Sequence, residues 1–185
     1  MPEKPPSPRD IRREAWREGA DAWEDSTREE LEEQHALILS ALRKNALPIG
    51  PETLVLDVGS GRGRLAQMLS KDGLQVVGLD ARPRAQGTLM QAAGRAERMP
   101  FRPGQFDVVI TALLYDEEVY DQSIEEMVRE IARVLKPGGL YVWYVWSPDM
   151  YDRLEALFKK EEELELVQTP SAQERLVVFK KRTHA

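Results

Sequence analysis

The sequence contains no cysteine, only two histidines and no long apolar run. Without cysteine it has no disulfide, thiolate nucleophile or cysteine-ligated metal, and His35 and His184 alone do not make a metal site. No apolar run approaches the roughly 20 residues that a membrane-spanning helix needs. The first residues, MPEKPPSPRD, lack the apolar segment of a secretory signal. We therefore expect a cytoplasmic protein with no metal and no membrane span.

The acidic balance of the chain argues against a nucleic-acid partner. Its 185 residues carry a formal net charge of -6, whereas a protein that grips a polyanion is normally basic. The segment from Arg62 to Arg102 is the exception, because lysine and arginine outnumber aspartate and glutamate in it. Two interpretations stay open for this segment: ordinary solvated faces, or the approach path of an anionic substrate.

The length and composition predict one domain with a short leader. Residues 1–9 contain prolines and charges with nothing to bury, and we expect them to be disordered. A single domain is predicted over residues 10–185, with N-terminal helices over 10–48 and a core over 49–185. Ser26 or Thr27 followed by Glu29 and Glu30 predicts the capped start of the main N-terminal helix.

The core alternates apolar strands with amphipathic helices. Strands are predicted in TLVLDV, QVVGLD, FDVVITALLY, LYVWYVW, LELVQT and RLVVFKK, and helices over residues 62–72, 83–92, 121–135 and 148–160. The sequence KPGG should end the third of these helices abruptly. This alternation predicts an α/β fold, a doubly wound and mostly parallel sheet, closed by an antiparallel C-terminal hairpin.

A glycine-rich turn lies between the first strand and its helix, in LVLDVGSGRGRLAQML. Its spacing differs from the G-x-G-x-x-G pattern of dinucleotide sites, because Arg64 stands at the sixth position. Asp57 precedes the glycines, and an extra carboxylate suits a cationic ligand better than a pyrophosphate. Asp80 ends the second strand, where a carboxylate can accept both hydroxyls of an adenosine ribose. The glycine turn, together with Asp57 and Asp80, therefore favours a cationic adenosine cofactor.

Five motifs in order resemble the class I S-adenosylmethionine-dependent methyltransferases, close to the broad family that includes the ubiquinone and menaquinone methyltransferases. They are LDVGSGRG, VVGLD, GRAERMPF, FDVVIT and RVLKPGGLYVW, and they cover roughly residues 50–146. The resemblance implies a seven-stranded Rossmann-like sheet, S-adenosyl-L-methionine as cofactor and methyl transfer by in-line displacement.

The resemblance also implies roles for individual residues. Gly59 and Gly61 would lie against the methionine part of the cofactor, with Asp57 near its amino group. The ribose would bind at Asp80, with Ala81 beside it; the adenine would be bordered by Ala96 and Glu97, and the sulfonium side by Thr111. Many relatives have an aspartate where this chain has Arg95, and an arginine cannot accept hydrogen bonds from the adenine amino group.

The acceptor side is less defined by the sequence. Tyr115 and Asp116, just past the fourth strand, are the candidates for orienting or deprotonating an acceptor, with packing and solvation as the alternative. Trp16 and Trp23 are either a lid or helix-packing residues. A small-molecule acceptor is favoured. A protein or RNA acceptor, a non-catalytic cofactor-binding partner protein and an NAD(P)-dependent oxidoreductase are the alternatives, and an open site completed by a second chain, such as a homodimer, is left open.

Overall fold

A computed structural model describes residues 27–85, 87–112, 124–144, 158, 160–169 and 175–183. Trp16, Trp23, Tyr115 and Asp116 lie outside these residues, as does most of the helix predicted over 148–160. None of the described helices is both long and apolar enough to cross a membrane. The described elements, in chain order, are α1 (Arg28–Lys44), β1 (Leu54–Val58), α2 (Arg64–Lys71), β2 (Gln75–Asp80), β3 (Met90–Ala93), β4 (Phe106–Ala112), α3 (Ile124–Val134), β5 (Leu135–Tyr144), β6 (Leu164–Gln168) and β7 (Leu176–Lys181).

The strands form one seven-stranded sheet in the order β3-β2-β1-β4-β5-β7-β6. β1 pairs in parallel with β2 and β4, and the parallel pairing extends outward to β3 on one side and β5 on the other. β7 runs antiparallel to both β5 and β6. The predicted doubly wound, mostly parallel sheet with a C-terminal hairpin is therefore confirmed. The carboxyl ends of β1, β2, β4 and β5 share one edge, where such sheets bind ligands.

Each face of the sheet carries its own apolar core. α1 and α2 contribute buried side chains to one core, together with Val55, Ile110 and Val142. α3 and Phe158 contribute to the other, against Val109 and Tyr141. Alternate residues of each strand point to opposite faces, and both faces are apolar, which explains why the central strands read as continuous hydrophobic runs.

The start of α1 agrees with its predicted cap. The Glu30 N–H donates to Thr27 Oγ1 at 3.1 Å, and the Thr27 N–H donates to Glu30 Oε2 at 2.8 Å. This reciprocal pair is a capping box, which satisfies backbone donors that the helix itself leaves unpaired. Further along α1, His35 Nε2 lies 2.5 Å from the Asp72 carboxylate, which connects the helix to the turn after α2.

One sequence prediction was wrong, and another was right only in part. The segment predicted as a helix over 83–92 contains the strand β3, because Gly87 has a positive φ of 77° and Met90 to Ala93 pair with β2. The helix ends directly before KPGG, as predicted, although these residues belong to the following strand and not to a separate turn. α3 ends at Val134, and Lys136 to Gly139 lie within β5 as an irregularity in its pairing with β4.

A charged cluster joins the strands at the amino edge of the sheet. Both carboxylate oxygens of Asp107 accept from Lys136 Nζ at 2.8 Å, and Asp107 Oδ2 also accepts the Leu54 N–H at 2.9 Å. The cluster therefore ties β1, β4 and β5 together at the edge opposite the glycine turn.

Arg133 of α3 fixes the segment between β3 and β4. Its guanidinium donates to the Phe101 carbonyl at 2.8 Å and to the Met99 carbonyl at 3.0 Å, and it pairs with Glu130. Glu130 in turn accepts the Met99 N–H at 2.6 Å. The hydrogen bond from Arg133 holds the pKa of Glu130 below its usual range. The motif GRAERMPF is thus anchored to the helix behind it.

We expect Arg133→Met to lower the free energy of unfolding by about 1–3 kcal/mol, because the two carbonyls and Glu130 lose a charged donor. Urea unfolding at pH 7 measures this change. Arg129→Met is the matched control, since Arg129 is exposed on the same helix and, among the described residues, donates to the Glu125 carbonyl one turn earlier. Equal stability of the two variants would contradict the anchoring role.

Candidate functional site at the carboxyl edge of the sheet

The glycine turn links β1 to α2 in a conformation that requires glycine. Gly59, Gly61 and Gly63 have φ values of 77°, 52° and 73°, a region that residues with a β-carbon rarely adopt. The N–H groups of Gly59 and Ser60 donate to the Leu79 carbonyl at 2.7 and 3.1 Å. The turn is therefore hydrogen-bonded to the end of β2, so the motifs LDVGSGRG and VVGLD lie side by side.

Asp80, at the end of β2, joins the two loops of the site. Its Oδ2 accepts the Gly61 N–H at 2.9 Å, and its Oδ1 accepts the Arg82 N–H at 2.7 Å. Each oxygen keeps lone-pair capacity for a second donor, because a carboxylate can accept about four hydrogen bonds. Asp80 is only partly buried, and Ala81 beside it is exposed. This carboxylate is placed to receive a ligand.

Asp57 is a buried carboxyl near the end of β1. Only 3% of the residue is exposed. Burial, and next the charge of Asp80, raise the pKa of Asp57 to about 7. Among the described residues, no hydrogen bond or ion pair is found that would stabilise its charge. A cation next to Asp57 would supply that stabilisation.

The front of Gly61 is open as far as the described residues are concerned. A β-carbon built on Gly61 would have no heavy atom within 4 Å, whereas one on Gly63 would lie 2.3 Å from Leu89 Cδ2. The turn therefore packs tightly where it enters α2 and leaves room at its centre. A ligand can approach the backbone there closely, which is the usual reason for glycine in such a turn.

Gln91 of β3 is a residue of this site that the sequence analysis did not identify. Its Nε2 donates to Ser60 Oγ at 2.6 Å and to the Gly61 carbonyl at 2.8 Å. Its Oε1 accepts the Ala85 N–H at 2.8 Å. The only sequence signal was indirect: recognising β3 as the neighbour of β2 would have placed Gln91 beside Gly78 and near the turn.

The segment after β3 places Glu97 in an unusual environment. Arg95 Nε forms an ion pair with Glu97 Oε1. The other oxygen, Glu97 Oε2, is buried and has no hydrogen-bond partner among the described residues. Ala96 packs in the core on the α3 face, so only its backbone is free to border a ligand. Arg95 therefore partly neutralises Glu97, and one buried acceptor is left that a ligand donor would satisfy.

Thr111 lies near the end of β4, with its side chain directed into the protein. It is fully buried, and its Oγ1 lies 2.7 Å from the Tyr141 hydroxyl. Its neighbours in the sheet are Val58 and Trp143. The structure thus brings Asp57, Gly59, Gly61, Asp80 and Ala81 together, and it pairs the Thr111 hydroxyl with that of Tyr141.

The two carboxylates and the glycine turn fit an adenosine cofactor that carries a positive charge. Asp80 offers two oxygens to a ribose diol, Asp57 offers a buried negative charge to a cation, and the open front of Gly61 leaves room between them. A pyrophosphate would bring two negative charges towards these carboxylates, which is unfavourable.

Comparison with known proteins identifies the region around this site. Residues 56–143 match a family described as "Methyltransferase domain". An uncharacterized methyltransferase of Synechocystis sp. is 36% identical over 118 residues, which is 55% of this chain and 55% of that protein. The chain thus spans about half the length of this curated relative.

Solved structures agree with the fold. A putative S-adenosyl-L-methionine-dependent methyltransferase of Methanococcus maripaludis aligns with a TM-score of 0.63 and 14% identity, over 100% of this chain and 98% of that one. The N-methyltransferase NodS of Bradyrhizobium japonicum, in complex with S-adenosyl-L-homocysteine, aligns with a TM-score of 0.60 and 16% identity, over 85% of this chain and 89% of that one. At these identities the likeness shows the fold alone.

The raised pKa of Asp57 predicts how folding stability depends on pH. The folded protein holds this proton more tightly than an unfolded chain, in which a carboxyl has a pKa of about 4. The stabilising contribution is therefore complete below that value and is lost as the pH rises through about 7. Asp57→Asn removes the charge without removing the side chain.

We expect the stability of Asp57→Asn, relative to the unmutated protein, to improve by about 2–3 kcal/mol between pH 5 and pH 9. Urea unfolding at both pH values measures the difference. Glu125→Gln, at an exposed position of α3, is the control and should show no such trend. A relative stability of Asp57→Asn that does not change with pH would show that Asp57 titrates normally.

Proposed function

We propose that this chain, whose residues 56–143 match a family described as "Methyltransferase domain", is a class I S-adenosylmethionine-dependent methyltransferase that transfers a methyl group from S-adenosyl-L-methionine to a small-molecule acceptor. The observation that carries the proposal is the pair of carboxylates, Asp57 and Asp80, on either side of a glycine turn with an open front. The domain division into residues 1–9, 10–48 and 49–185 is part of the same proposal.

Binding in this site uses residues that the structure brings together. Asp80 would accept the ribose hydroxyls, and it is already oriented by the Gly61 and Arg82 N–H groups. Asp57 would lose its proton and stabilise the ammonium of the methionine part, because an adjacent cation favours the charged carboxylate. Gly59 and Gly61 would let the cofactor lie against the backbone. Glu97 Oε2 would accept a hydrogen bond from the adenine amino group.

The bound cofactor supplies a sulfonium methyl group that is already a good electrophile. Held by Asp57 and Asp80, the cofactor would give this methyl group to the acceptor's lone pair, and the electrons of the broken carbon–sulfur bond would stay on sulfur. The main contribution of the protein to the rate is then to align the acceptor with the methyl group and to exclude water. Little acid or base chemistry is required of the described residues.

Tyr115 and Asp116 remain our proposal for the acceptor side, and they lie outside the described residues. They follow β4, whose carboxyl end lies at the same edge as Asp57. One of them would take the proton that the acceptor loses.

Three alternatives make different predictions. A protein or RNA acceptor, for which the basic residues between Arg62 and Arg102 are the support, predicts tritium transfer from labelled cofactor to macromolecules. A non-catalytic partner protein predicts cofactor binding without turnover of any acceptor. An NAD(P)-dependent oxidoreductase predicts binding of a nicotinamide cofactor in place of S-adenosyl-L-methionine, which Asp57 disfavours. A homodimer that completes an open site is compatible with each of them.

We expect isothermal titration calorimetry to show binding of both S-adenosyl-L-methionine and S-adenosyl-L-homocysteine, because the two share the adenosine that Asp80 would hold. Asp80→Ala should weaken both by about a hundredfold or more, since two hydrogen bonds to a charged group are lost. Asp72→Ala is the control, because Asp72 contacts His35 away from the turn. If the unmutated protein binds neither ligand, the proposed function is wrong.

A further inference from the structure

The side chain of Gln91 uses its amide to connect two segments of the cofactor site. The amide nitrogen donates to Ser60 Oγ and to the Gly61 carbonyl, and the amide oxygen accepts the Ala85 N–H. Ser60 and Gly61 belong to the glycine turn, whereas Ala85 belongs to the loop after Asp80. One neutral side chain thus links, from behind, the same two loops that Asp80 links in the site.

The space behind the turn is shaped around this contact. Gly78 of β2 is paired in register with Gln91. A β-carbon on Gly78 would lie 2.5 Å from Ser60 Oγ and 3.2 Å from Gln91 Cγ. The first of these distances is too short for any real contact, so a glycine at this position is what allows the serine and the glutamine to meet.

The backbone at Gly61 is consequently held from two directions. Its N–H donates to Asp80 Oδ2 at 2.9 Å, and its carbonyl accepts from Gln91 Nε2 at 2.8 Å. On its other side, a β-carbon would meet none of the described residues within 4 Å, and this is the side where the proposed cofactor would lie. Two hydrogen bonds thus set the orientation of the peptide groups against which the cofactor would lie, before it arrives.

We propose that Gln91 is a positioning residue for cofactor binding: it holds the glycine turn and the loop after Asp80 in the arrangement that receives the adenosine. The inference rests on the proposed function and deepens it. Gln91 does not need to touch the cofactor. It acts by reducing the ordering that the two loops would otherwise undergo on binding, which is how preorganisation raises affinity.

The strand β3 is consistent with this role. It is a short edge strand of the sequence MQAA, none of whose residues is fully buried, and Met90 is 68% exposed. Burial of apolar side chains therefore contributes little to the stability of this strand. Pairing with β2 and the hydrogen bonds of Gln91 account for its position.

Calorimetry on the full chain with S-adenosyl-L-methionine, S-adenosyl-L-homocysteine and adenosine tests the proposal. Gln91→Met keeps the length of the side chain and removes its three hydrogen bonds. Gln91→Glu keeps an oxygen that can accept the Ala85 N–H and removes the donor to the Gly61 carbonyl, and it carries the test if Gln91→Met fails to fold. Gln75→Met is the matched control, because Gln75 bonds a backbone carbonyl, that of Pro51, at the other end of β2.

We expect Gln91→Met to raise Kd for all three ligands by a similar factor of about ten, because the three hydrogen bonds that order the two loops before binding are lost. Gln75→Met should bind as the unmutated protein does. A merely structural role would lower the melting temperature of Gln91→Met and leave Kd, measured well below it, unchanged. That result would overturn the inference while the proposed function stands, whereas an unmutated protein that binds none of the ligands would overturn both.

Discussion

The hydrogen bonds accepted by Asp80 are the interaction on which the geometry of the site depends. One oxygen binds the turn after β1 and the other binds the loop after β2, so a single carboxylate fixes both walls of the site. Bonds to a charged acceptor are about twice as strong as neutral ones. Because β1 and β2 are parallel, their carboxyl ends arrive at the same edge, and one side chain can reach both segments.

Asp57 lowers the free energy of unfolding at neutral pH and above, because its buried carboxyl is unfavourable to ionise. A carboxyl that is almost completely buried, close to a second carboxylate, is held partly protonated at neutral pH. Nothing in the packing of the α1 and α2 face requires a carboxyl at this position, since Val55 and Ile110 beside it form an apolar core. Buried ionisable groups with shifted pKa values are frequent at functional sites, where a bound ligand can stabilise their charge.

The parts of the site that could be predicted are those encoded locally. Gly59, Gly61 and Asp57 lie within one strand-turn-helix segment, and the positive φ angles of the two glycines favour that residue type strongly. The parts that could not be predicted depend on distant residues. Gln91 acquires its role only when β3 pairs with β2, and the MQAA strand shows no alternation of apolar and polar residues. Likewise, the Thr111 hydroxyl finds its partner on Tyr141, thirty residues away.

The amino edge of the sheet, closed by Asp107 and Lys136, has a consequence for engineering. β1 is five residues long, so Leu54, bonded to Asp107, lies roughly 13 Å along the strand from the turn that follows Val58. Substitutions at sites more than about 7–10 Å apart with no shared partners usually have additive free energies. The two edges can therefore be altered independently: one can be reinforced for thermal tolerance while the ligand affinity set at the other is preserved.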